Sequence, residues 1–295
     1  MEFREPRIGD KEKIGRIMKE SGYAGCEYTF GNLLMWSGAY DNKIDEYDGK
    51  LLARYEADVP MYMYPCGKGD CKKSVEALIE YSQEHDTEKL HMYGVTPDAI
   101  KEIEDAFPGK FRFEAKRDFF DYIYLTDDLI NLSGKKYHAK RNHIAYFKKT
   151  FSWSFEEMNR SNLDECYAMN EKWEEMNREK NPEELDTEKN AIIKAFENFD
   201  ELDLQGGLLR ADGDIVAYTI GEEINSEFFC THIEKAFSDV RGAYPAINQE
   251  FAKNLLSGYK YINREEDTGS EGLRKAKLSY YPAILLEKYN AVYEG

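Results

Sequence analysis

The sequence predicts a mixed α/β (α+β) protein built from two tandem copies of one unit, and three observations carry that expectation. The chain's 295 residues suffice for two domains that each bury a core of their own. Two Asp-Gly dipeptides, Asp48-Gly49 and Asp212-Gly213, sit within YDGKLLARY (47–55) and ADGDIVAYT (211–219), where alternating apolar runs flank a two-residue hairpin turn. After each hairpin the same order returns. One more strand is followed by a helix (70–84 and 245–257), a short strand (90–93 and 259–262) and an aromatic-rich closing strand, FFDYIYL at 119–125 and YYPAILL at 280–286. Repeated order with little identity reads as an internal duplication. The units are expected over 1–132 and 151–295, joined by a basic helix over 133–150.

The elements follow from local pattern. Residues 10–21 place Ile14, Ile17 and Met18 on one helical face and stop at Gly22. Residues 28–38 form a second short helix, and the hairpin after it is followed by a third strand ending at Pro65. Beyond the 70–84 helix come a strand at 90–93, a helix at 97–106, and strands at 111–114 and 119–125. In the second half, Trp153 centres a strand over 152–156, and 160–203 is helical and rich in acids, as a solvated face would be. Strands at 205–210, 215–221 and 228–233 lead to a helix opening at Pro245, which suits a first helical position. A strand at 259–262, a short helix at 271–278 and a final strand at 281–292 close the chain.

Charge is uneven. Residues 1–150 hold 24 Lys/Arg against 27 Asp/Glu, and 151–295 hold 16 against 30, within a net charge of −17. That balance excludes binding nucleic acid or anionic lipid over the whole surface, so a polyanionic ligand must be held locally. The place for it is SGKKYHAKRNHIAYFKKT (133–150), with six Lys/Arg, two His and no acid. As a helix of about four turns it aligns Lys136, Lys140 and His143 on one face, while Tyr137, Ile144 and Phe147 cover a core. A solvated basic face is the plain reading. An anion clamp of Lys136, Lys140 and Arg141, aimed at a phosphate, is the functional one.

Cys26, Cys66, Cys71, Cys166 and Cys230 are an odd, scattered set, expected as reduced thiols in the cytoplasm. Neither they nor the five histidines have metal-ligand spacing, so no metal site is expected. The apolar runs are too short for a membrane span, and the start is no signal peptide.

Three strings carry a resemblance: GKKYHAKRNHIAYFKK (134–149), RGAYPAINQEFA (241–252) and YINREEDTGSEGLRKAKLSYYPAIL (261–285). With their spacing, they resemble soluble relatives of the phosphatidylglycerol lysyltransferase C-terminal domain family over essentially the whole chain. The resemblance implies two tandem GNAT-like acyltransferase domains, related to the Fem-type enzymes that use aminoacyl-tRNA. It also implies a lysine before the last strand that stabilises an oxyanion or holds the tRNA 3′ end, a place Lys277 occupies. Two patterns differ. Acetyl-CoA enzymes of this fold carry Q/R-x-x-G-x-G/A before the long helix, whereas Arg241-Gly242-Ala243-Tyr244-Pro245-Ala246 puts Tyr244 where a glycine belongs. Membrane-bound relatives act on lipid head groups, and this sequence shows no membrane segment.

Acyl transfer needs an acceptor relieved of its proton, donors for the oxyanion and a neutralised leaving group. Glu266 and Asp267, at the junction of a strand and a loop opening at Asn263 and Arg264, are candidate bases; a polar turn is the alternative. Arg274 and Lys277 share a helical face, with Arg274 suited to a phosphate or carboxylate. His232 and Glu234 end the strand before the long helix, and either can serve as a base. Asn248 in that helix can hold an acceptor, Arg241 before it an anion, and Tyr280 can protonate a leaving group. No Cys or Ser stands in a nucleophile motif, so direct attack is expected. The expected function is transfer of an aminoacyl or acyl group from aminoacyl-tRNA, contacted locally, to an amine or hydroxyl of a small or cell-envelope acceptor. An acyl-CoA-dependent N-acyltransferase and a non-catalytic binder of a phosphorylated metabolite are the alternatives.

Overall fold

A computed structural model describes residues 1–85, 89–178 and 182–295. In chain order it contains α1 (Lys11–Ser21), α2 (Phe30–Met35), α3 (Ser37–Tyr40), β1 (Lys43–Tyr47), β2 (Lys50–Tyr55), β3 (Met61–Met63), β4 (Cys66–Gly67), α4 (Cys71–His85), β5 (His91–Val95), α5 (Pro97–Ala106), β6 (Phe111–Ala115), β7 (Asp121–Leu125) and α6 (Thr126–Asn131). There follow α7 (His138–Thr150), β8 (Trp153–Glu157), α8 (Leu163–Asn177), α9 (Pro182–Glu197), β9 (Gln205–Ala211), β10 (Asp214–Glu223), β11 (Phe228–Ala236), α10 (Ala243–Asn254), β12 (Tyr261–Asn263), α11 (Glu271–Leu278), β13 (Ile284–Leu286) and β14 (Tyr289–Tyr293). Residues 179–181, inside the run expected to be helical, lie outside the described residues. Both Asp-Gly hairpins form. Asp48 and Gly49 take φ of 49° and 78°, and Asp212 and Gly213 take 54° and 98°, the positive pair that a type I′ turn demands.

The first unit comprises residues 1–122, 265–275 and 285–295. Its sheet runs β1-β2-β3-β5-β14-β6, with β4 beside β2. β3 and β5 are parallel, and α4 is the crossover between them. Leu52, Tyr62, Val75, Leu78, Met92 and Ile103 are buried where α4 and α5 cover this sheet. Each aliphatic side chain contributes about 1.5–3 kcal/mol by leaving water.

The second unit comprises 123–264 and 276–284. Its sheet runs β13-β7-β12-β11-β10-β9-β8. β11 and β12 are parallel, with α10 as their crossover, the same device as β3-α4-β5. Leu209, Ala217, Ile220, Phe229, Ile247 and Phe251 are buried in this unit. Both units are mixed α/β assemblies, and no helix among the described residues is long and apolar enough to cross a membrane.

Two expectations need correction. The stretch 151–295 is not one unit: the strand expected over 281–292 breaks at Glu287-Lys288, and β14 enters the first unit's sheet between β5 and β6. Conversely, β7 pairs with β12 in the second. Apolar periodicity reports that a strand is buried, not which sheet buries it. The basic helix is likewise no linker, because α7 belongs to the second unit and buries Ile144 and Phe147. Gly242, at φ 94°, lies so close that an added Cβ would stand 2.3 Å from the His143 carbonyl oxygen. Only glycine lets the turn before α10 rest on α7.

Candidate functional site

In open α/β sheets, side chains that meet a ligand gather beyond the carboxyl ends of parallel strands. In the second unit those ends present Glu234, late in β11, and Arg264, immediately after β12. Arg264 Nη2 donates to Glu234 Oε1 at 2.7 Å, and Asn248 Nδ2, from α10, donates to Oε2 at 3.3 Å. Lys277 is 8% exposed, and its Nζ donates to the Arg264 carbonyl at 2.6 Å. The guanidinium faces Tyr280 at 5.0 Å and Tyr124 at 5.7 Å, and Lys140 Nζ lies 3.8 Å over the Tyr280 ring. Two tyrosines fix the turn that carries these groups: Tyr124 donates to the Lys277 carbonyl and Tyr137 to the Tyr280 carbonyl, each at 2.8 Å.

This arrangement holds a guanidinium rigidly while leaving part of it unused. Arg264 Nη1 and Asn248 Oδ1 are buried and have no hydrogen-bond partner among the described residues. A buried polar atom in that state costs about 1–3 kcal/mol, so the site is built with one donor and one acceptor to spare. Burial, and then the Arg264 charge, pull the Lys140 ammonium down to a pKa of about 8. Burial pushes the Tyr280 phenol up, which keeps it protonated.

The first unit holds the other candidates, in two groups. Asp267 is fully buried and accepts from Arg274 Nε at 2.9 Å and Nη2 at 2.7 Å, from Arg117 Nη1 at 3.2 Å, and from the Tyr122 hydroxyl and the Gly269 N–H. Burial works to raise its pKa, yet these donors outweigh it and hold the carboxyl well below the usual range. Arg274 is further engaged by Asp118 at 2.6 Å. Asp267 is thus an anchor rather than a base, and Arg274 its clamp rather than a phosphate ligand.

Glu266 belongs to the second group. The Sγ of Cys26 and carboxylate oxygens of Glu27 and Asp121 lie within 4.8 Å of one another, close enough to share a cation. Lys288 supplies it, with Nζ 2.6 Å from Glu27, 2.8 Å from Asp121 and 3.4 Å from Cys26. Glu266 Oε2 lies 3.4 Å from the same sulfur. Burial raises Glu266 to about 7 and pushes the Cys26 thiol up. Burial also opposes the charge on Lys288, but the surrounding acids outweigh it and the pKa goes up.

The remaining expected residues are in the second unit. Lys136 pairs with Asp128 at 3.6 Å and lies over Tyr137 and Tyr281. Arg141 donates to the Leu132 and Gly134 carbonyls beyond the end of α6, so it caps backbone rather than clamping an anion. Arg241 stacks on Tyr146 at 4.5 Å. His232 Nε2 bonds Glu222 Oε1 at 3.0 Å, both side chains buried, while Asn263 is buried within β12. Sequence reasoning missed Tyr124, Tyr137 and the Lys288 group. Nothing local marks them, since two read as core aromatics and Lys288 lies inside an expected strand.

The family described as phosphatidylglycerol lysyltransferase, C-terminal, matches residues 19–292. Among solved structures, a conserved protein of unknown function from Bacteroides thetaiotaomicron VPI-5482 is 38% identical, with 99% of each chain covered and a TM-score of 0.94. The C-terminal domain of a putative lysylphosphatidylglycerol synthetase from Agrobacterium fabrum is 15% identical, covers 97% of this chain and 92% of its own, and has a TM-score of 0.70, a likeness of fold. An uncharacterised protein of Mycoplasmoides gallisepticum is 24% identical over 181 residues, 57% of this chain. The chain spans about half, 54%, of that relative's length.

Proposed function

Because the chain belongs to the phosphatidylglycerol lysyltransferase C-terminal family, we propose that it moves an aminoacyl group from aminoacyl-tRNA to an amine or hydroxyl of a small or cell-envelope acceptor. The observation that supports this reading is the buried Arg264 guanidinium, oriented by Glu234 and two aromatic rings, with Nη1 uncommitted and its backbone held by Lys277. In transfer from an ester, the acceptor nitrogen or oxygen forms a bond to the carbonyl carbon, and negative charge collects on the carbonyl oxygen. Arg264 Nη1 is the donor for that oxygen, fixed in place before the charge appears. Lys140, with a pKa of about 8, exists as both amine and ammonium near neutral pH. As the amine it takes the acceptor's proton, and as the ammonium it returns one to the ribose oxygen when the ester C–O bond breaks. Asn248 Oδ1 is placed to accept from the α-amino group.

The test is a transfer assay with labelled aminoacyl-tRNA and with acetyl-CoA, each against a panel of amines and alcohols. Turnover of charged tRNA, reduced about 10²-fold or more in kcat by Arg264→Lys, is the expected result. Turnover of acetyl-CoA with charged tRNA inert would replace the reading with N-acyl transfer from coenzyme A, and no turnover of either would favour a binder.

A further inference from the structure

Around α7, two exposed aromatic rings have no part in the transfer chemistry. Tyr146 and Tyr281 are 42% and 48% exposed, and each lies against a cation. The Arg241 guanidinium is 4.5 Å from the Tyr146 ring and Lys136 Nζ is 5.2 Å from that of Tyr281. Tyr281 is held at φ 53°, a conformation that L residues other than Asn and Asp seldom take and that tends to persist where it serves a purpose. Arg241 reaches Tyr146 because Gly242 lets its turn lie directly on α7. At about 1.5 Å of rise per residue, the Lys136 and Tyr146 ends of this surface are on the order of 15 Å apart, with His143 exposed and Lys140 half-buried along the arc between.

Exposed aromatic faces interleaved with cations are what an unpaired nucleic-acid strand requires. Its bases need flat partners and its phosphates need charge, with no base-edge readout. A bilayer of anionic lipid is the other surface that attracts tyrosine and lysine. It presents a plane, however, and a plane meets the field of a chain with net charge −17 over a whole face, whereas a strand touches this patch alone. We infer that this face of the second unit binds an unpaired RNA strand, one base stacking on Tyr281 and another on Tyr146, with Lys136 and Arg241 meeting its phosphates. The inference rests on the transfer reading, since such a strand is what delivers an aminoacyl ester. Lys136 would exchange its contact with Asp128 for a phosphate oxygen.

The experiment is fluorescence anisotropy of the intact protein with a labelled unpaired RNA of about six nucleotides, the same RNA in a duplex, and vesicles of phosphatidylglycerol and phosphatidylcholine. The single strand should bind more tightly than the duplex or the vesicles. Tyr281→Ala and Tyr146→Ala should each weaken it about tenfold, while Tyr281→Phe and Tyr146→Phe, which keep the ring, bind as the parent does. Alanine variants that bind the strand unchanged, or vesicles that bind where the strand does not, overturn the inference. The two readings fail separately. Transfer from charged tRNA at the parent rate by both alanine variants removes the platform and leaves the chemistry. Tyrosine-dependent strand binding by a protein that turns over no donor keeps the platform and removes the chemistry.

Discussion

In the first unit, the ammonium of Lys288 sits among Glu27, Asp121 and Cys26, with Glu266 3.4 Å from the sulfur. In the second, the guanidinium of Arg264 meets one carboxylate, Glu234, and keeps Nη1 unspent beside a half-desolvated Lys140. Both groups are largely buried, and both contain acids and a base. They differ in sign and in the kind of atom left unpaired. The acids outnumber the base in the first, whose cation is engaged internally and whose spare atom is an acceptor, Glu27 Oε1, whereas in the second the bases outnumber the acid and a donor, Arg264 Nη1, is left over. An unfilled hydrogen-bonding position therefore does not by itself separate the two clusters; its kind does, since only the second keeps a spare donor.

The comparison can be broken most forcefully at Lys288. Lys288→Met strands three buried carboxyl groups without a cation, and urea unfolding should show a loss of about 3–5 kcal/mol. A change below about 1 kcal/mol would mean that shared protons already neutralise the group.

Next in size is the pH dependence of that cluster. Glu266 holds its proton to about pH 7 in the folded chain, against a reference of 4.5, so between those values the folded state binds more protons than the unfolded. Stability should therefore fall as pH rises from about 4.5 to about 7 and level off above. Glu266→Gln should flatten that slope in unfolding curves taken across the range. A slope of the opposite sign would show the carboxylate to be stabilised by Lys288 rather than strained by burial.

The smallest effect concerns the second cluster. If Lys140 moves the proton, kcat/KM should climb as pH approaches about 8 and then flatten. Lys140→Arg, cationic throughout, should lose that limb and run at least about tenfold slower at pH 8. An unchanged profile would reassign the proton transfer to another group.

Much of the fold was legible because its signals are local. Asp48-Gly49 and Asp212-Gly213 specify their hairpins through backbone conformation alone, and the periodic runs of α1, α4 and α10 place their helices. The exchange of β7 and β14 was not legible, since FFDYIYL and YYPAILL look equivalent wherever they are buried. The site was half visible. Glu234, Arg264, Lys277 and Tyr280 were singled out by their strings and do come together, but Lys277 holds a backbone carbonyl rather than facing a ligand. Arg141 and Arg274 are cations like Arg264, yet Arg141 is consumed by backbone and Arg274 by the nearby Asp267 and the distant Asp118. Which cation is spare depends on long-range pairing, and a single sequence does not express it.

The insertion of β14 between β5 and β6 has a consequence for synthesis on the ribosome. β5 and β6 emerge long before the strand that separates them, leaving backbone N–H and C=O groups that only the late arrival satisfies. Two such edges can pair with each other, or with another nascent chain, during that wait. Vectorial translation thus leaves the β5 and β6 edges open to mispairing until β14 has emerged.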